Sequence, residues 1–175
     1  MPVLVRKIAR GKWPDAPRPV KTLQADAIAD LRTSGNSLSV WRIDDIKHID
    51  DAVLALSASS KTEKIENMFI VWADEGVLQK KGIKIDSSSD GDTIIKGLGT
   101  LHRDLSELSY DSLGMMSEII MECIEKENAR RFTMTDVRKM LVEAYRNDRI
   151  ERGKCTEKLY NEIAAAAAKT FSPNF

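Results

Sequence analysis

Four groups of residues have types and spacings that suggest chemistry. The run Asp86-Ser-Ser-Ser-Asp-Gly-Asp92 places oxygen side chains at the first, third and fifth positions of a calcium loop, with glycine at the sixth. The pattern requires a bidentate glutamate at its twelfth position, where this chain has Gly97, so the run reads as a hydrophilic loop. His102-Arg-Asp-Leu105 repeats four letters of a kinase catalytic loop, but no glycine-rich loop, Val-Ala-Ile-Lys strand or Asp-Phe-Gly accompanies it. Asp104 is therefore expected on a solvated helix.

Asp44, Asp45, His48, Asp50 and Asp51 combine carboxylates with one imidazole. Asp44 and His48, four apart, would share a helix face, which suggests a metal-assisted enzyme as an alternative reading. Catalytic zinc usually takes three protein ligands, and the chain's second histidine, His102, lies far along the sequence. Gly97-Leu-Gly99 lacks the Gly-Lys that completes a phosphate loop. No metal, cofactor or catalytic residue is assigned.

The fourth group is basic. Arg130, Arg131, Arg138, Lys139, Arg146, Arg149, Arg152 and Lys154 stand between residues 128 and 154, against Asp136, Glu143, Asp148 and Glu151. Two helices joined by a short turn would carry them, a geometry suited to a helix-turn-helix nucleic-acid reader. Arg130, Arg131, Arg138, Lys139, Arg146 and Arg149 are the candidate phosphate contacts. Binding would need them on one face, and the turn at 127–133 lacks the usual glycine.

These residues are carried by a chain of 175 residues, 42% apolar and 31% charged, which is ordinary for a globular protein. Lys plus Arg equals Asp plus Glu at 27 each, so net charge exerts no pull toward nucleic acid or anionic lipid. No apolar run reaches the length of a membrane span, and the N-terminus lacks a secretory core. Cys123 and Cys155 make no metal motif and fit a reducing compartment, so a cytoplasmic location is expected.

The organising unit is residues 36–73, read as strand, helix and strand. Residues 36–43 include Leu38, Val40 and Trp41 among polar neighbours, as on a half-buried pleated surface. Asp44 and Asp45 open a helix with an apolar stripe of Ile46, Ile49, Val53 and Leu56. Residues 65–73 read as a strand buried on both faces, and a helix of this length would permit a parallel crossover if the two strands pair.

Around this unit, Val3–Ile8 reads as an edge strand, residues 24–31 as a short helix, and 83–85 as a brief strand. Residues 94–108 read as irregular, then helical. Residues 111–126, 133–145 and 156–168 carry helical apolar spacing, and Thr133 with Asp136 resembles a capping box, except that Asp replaces the longer Glu or Gln.

The expected architecture is α+β: a small mixed sheet with packed helices, then about three C-terminal helices. Residues 1–109 hold the sheet, and 110–175 form a helical region packed on it within one compact domain.

Trp13 lies in a loop with three prolines between residues 11 and 19. Its ring either plugs the loop onto the core or is offered to a partner. Without a residue set that meets a reaction's geometry, the leading expectation is a non-catalytic protein-interaction module: an accessory subunit, adaptor, inhibitor or immunity-type protein. Its partner would be another protein or a second copy, with Trp13, Arg138 and Arg146 as candidate contacts. Nucleic acid is the alternative partner, and no membrane is expected.

Overall fold

A computed structural model describes residues 1–15, 25–87 and 90–169. Pro17 and Pro19 of the proline loop, Ser88 and Ser89 of the acidic loop, and tail residues 171–175 lie outside them.

Branched residues on both faces of Val3–Ile8 (β1) place it in the middle of a sheet. It pairs with Leu38–Ile43 (β2) on one side and Met68–Asp74 (β3) on the other. Lys84–Asp86 (β4) and His102–Ser106 (β5) extend the sheet beyond β2, and Ala129–Phe132 (β6) extends it beyond β3. The order is β4-β5-β2-β1-β3-β6, and every pairing is antiparallel.

The α+β class is as expected, but the sheet is antiparallel where a mixed one was read. β2 and β3 do not pair, because β1 lies between them. β1 is central, and the edges are β4 and β6.

The pleat sends alternate residues to two cores. Val5, Trp41, Ile43, Ile70 and Phe132 face helices Ile49–Ser57 (α2), Met134–Arg146 (α5) and Glu157–Lys169 (α6). Leu4, Ile8, Val40, Val71 and Leu105 face Ala25–Asp30 (α1), Glu75–Lys80 (α3) and Tyr110–Glu125 (α4). Fully burying a side chain such as Leu141, Leu159 or Ile163 contributes about 1.5–3 kcal/mol. The sheet thus separates the last three helices, and the final third of the chain also supplies β6. No helix among the described residues is long and apolar enough to cross a membrane.

Two strands depart from the sequence reading. Residues 102–106 form β5, so Asp104 is a half-buried strand residue and not a solvated helical one. The expected turn at 127–133 contains β6, paired with β3 through Ile70 opposite Arg130. The helix expected to open at Asp44 starts later. Asp45 accepts the Lys47 N–H at 2.9 Å and caps a 3-10 turn, Ile46–His48, that leads into α2.

Candidate functional site

The clearest site is built on α5. Thr133 and Asp136 start the helix reciprocally: the Asp136 N–H donates to Thr133 Oγ1 at 3.2 Å, and the Thr133 N–H donates to the Asp136 carboxylate at 2.9 Å. The Thr133 hydroxyl donates to the same carboxylate at 2.7 Å, and these bonds hold Asp136 below the usual aspartate range. Val137, Leu141, Val142 and Ala144 bury one side of the helix. α6 packs beside it, burying Leu159, Ile163 and Ala167 at four-residue intervals.

An open groove of about 440 Å³ runs along α5 beside α6. Thr135, Arg138, Lys139, Val142, Glu143 and Arg146 of α5, with Asn147 just past its end, form one wall, a single stripe at helical spacing, and Ala166 comes from α6. Three cations and one acid therefore surround a floor made partly of Val142 and Ala166. Arg138 Nη2 lies 3.2 Å from Glu162 Oε1, and Arg146 Nη2 donates to the Ala167 carbonyl at 3.0 Å. Both guanidinium groups are thereby oriented across the α5–α6 seam. Lys139 is exposed.

The basic residues do not form one surface. Arg138, Lys139 and Arg146 share the groove. Arg130 and Arg131 are exposed on edge strand β6, where the pleat sends neighbours to opposite faces, and the Arg130 guanidinium stacks 4.6 Å over the Phe132 ring. Arg149 turns to Asp51 of α2 at 3.2 Å. Arg152 sits 4.1 Å over Tyr160, and Lys154 pairs with Glu151 at 2.9 Å. With β6 between α4 and α5, the helix-turn-helix geometry expected for nucleic acid is absent from this segment.

Trp13 is 3% exposed. Its Nε1–H donates to Asp30 at 2.8 Å, and the same carboxylate oxygen accepts the Ala9 N–H at 2.8 Å. The ring closes the loop onto α1 and is not presented as an anchor.

The other sequence candidates disperse. Asp86 accepts the Ser106 hydroxyl, while Asp92 accepts the Ser60 N–H at 3.0 Å, so these two carboxylates are tied to different neighbours. Asp44 pairs with Arg42 at 2.7 Å, and Asp45 serves as a cap. No cluster of three potential metal-ligating side chains occurs among the described residues.

The fold does bring Ser37, Asp104 and His102 together, a grouping not legible in the sequence. The Ser37 hydroxyl donates to Asp104 at 2.9 Å, and His102 Nε2 lies 3.7 Å from the same oxygen. The carboxylate thus stands between serine and imidazole, the reverse of the order in which a histidine takes a serine proton. His102 packs edge-on against Trp41, with centroids 5.7 Å apart. Burial pushes the Cys123 thiol up to about 12 and also raises that of Cys155, so both favour the unreactive neutral form.

Comparisons with family models, with curated proteins and with solved structures each return no match.

Proposed function

We propose that this chain is a non-catalytic interaction module that binds an acidic segment of another protein in the α5–α6 groove. The observation carrying this reading is the arrangement of Arg138, Lys139 and Arg146 along a groove whose floor includes Val142 and Ala166. Such a surface matches carboxylates flanking an apolar side chain. Exposed ion pairs contribute little individually, so the apolar floor supplies affinity while the cations select sign and register. The partition of the remaining arginines among β6, α2 and Tyr160 favours this local site over an extended phosphate-binding surface.

Selection from a random peptide display library tests the reading, with Lys139→Glu protein as the counter-target. Peptides rich in Asp or Glu and containing an apolar residue are expected, with binding lost on the variant. Neutral or basic peptides that bind both proteins equally would overturn it. Preferential capture of nucleic acid, falling steeply with salt, would return the function to phosphate recognition.

A further inference from the structure

Resting on that reading, we infer that the groove recognises its acidic segment as a helix lying along α5, with acids seven or eight residues apart and a large apolar side chain midway between them. Arg146 lies seven residues after Lys139 and eight after Arg138, so the backbone positions that carry these cations stand about 10–12 Å apart along the α5 axis at 1.5 Å rise per residue. Val142 lies between these positions, with Ala166 of α6 beside the same groove. A ligand helix nearly parallel to the α5 axis repeats this spacing. Residues i and i+7 fall on one face, and i+3 or i+4 lies on that face between them.

The same stripe disfavours other occupants. Glu143 sits one turn before Arg146 and repels a third acid at that level, so a uniformly acidic ligand gains less than one carrying two spaced acids. The groove runs between two helices, where the side chains of a third can interdigitate. A guanidinium offers five donors in a planar fork. The bonds of Arg138 to Glu162 and of Arg146 to Ala167 therefore orient these groups while keeping them on the groove wall.

Two fluorescein-labelled, lactam-stapled peptides of identical composition test this inference. One has Glu at i and i+7 with Leu at i+3. The other has Glu at i and i+5, about 140° apart around the helix. Fluorescence anisotropy should show the first binding up to about fivefold more tightly than the second, the effect of the one exposed ion pair that the second cannot make. Lys139→Glu and Lys139→Gln should each weaken the first peptide and leave circular dichroism unchanged. Raising the salt concentration should narrow the difference between peptides.

Equal binding of both peptides, with both lost on Lys139→Glu, would overturn the helical register while leaving an acidic-segment site. Failure of both peptides to bind while an acidic peptide from the display selection binds would likewise overturn the register alone. Failure of every acidic peptide would overturn the proposed function as well. Concentration-dependent self-association of the unliganded protein, abolished by Lys139→Glu, would make a second copy the occupant and overturn the inference.

Discussion

Arg138 of α5 reaches Glu162 of α6 at 3.2 Å, and the other oxygen of Glu162 accepts the Ile65 N–H at 3.4 Å. One carboxylate thus joins the groove wall to the segment leading into β3. Both side chains are about one-third exposed, so solvent screening limits the pair. A double-mutant cycle with Arg138→Ala and Glu162→Ala should give a coupling below about 1 kcal/mol by urea denaturation. Glu162→Ala should cost more than Arg138→Ala, because it also removes the Ile65 acceptor. Lys139 substitutions should leave stability nearly unchanged.

The Asp136 cap predicts a defined pH response. Its folded pKa lies below the ordinary value of 3.8, so its stabilisation is present above that value and is lost as pH falls through the folded pKa. Asp136→Asn should therefore melt below wild type at neutral pH, with the gap closing below about pH 4. Thermal melts of both proteins across this range check the expectation, and a constant gap would contradict it.

The backbone makes opposite predictions at two glycines. A Cβ at Gly91 would lie 2.5 Å from Trp41 Cη2 and 2.7 Å from His102 Cβ. Gly91→Ala should destabilise by about 1–3 kcal/mol, as other overpacking changes do. Gly114, inside α4, has open space where a Cβ would stand. Gly114→Ala should stabilise by about 0.5–1 kcal/mol through helix propensity. Denaturant midpoints of the two variants should move in opposite directions.

Thiol labelling probes the face opposite the groove. Cys123 of α4 donates to the Trp72 carbonyl of β3 at 3.1 Å and is buried on the face of the helix that packs on the sheet. With its pKa near 12, Cys123 should resist a thiol-specific reagent at about pH 8 in the native protein and react promptly in denaturant. Rapid native labelling of Cys123 would show that α4 opens from the sheet.

Strong local patterns made much of this fold legible. The alternation around Trp41 marked β2, the continuous apolar run marked β3, and the Thr133–Asp136 pair marked the start of α5. β5 escaped because His102-Arg-Asp-Leu-Ser106 has one apolar residue, Leu105, and its extended form is held by pairing with β2 and β4. β6 escaped because Ala-Arg-Arg-Phe is short and polar, and its ladder partner lies more than fifty residues upstream. That strand also changes the meaning of the basic cluster. Counting along the chain joins Arg130 and Arg131 to Arg138, whereas the sheet places the first two on an edge strand. For Trp13, local composition left both burial and exposure open, and Asp30, seventeen residues away, supplies the partner that holds the ring inside.

The most direct test of the central claim is amide chemical-shift mapping of the whole protein during titration with an acidic peptide from the display selection. The groove account predicts saturable shifts concentrated at Thr135, Lys139, Val142, Arg146 and Ala166, absent with Lys139→Glu. Shifts centred on β6 or α2, or an unchanged titration with the variant, would contradict it.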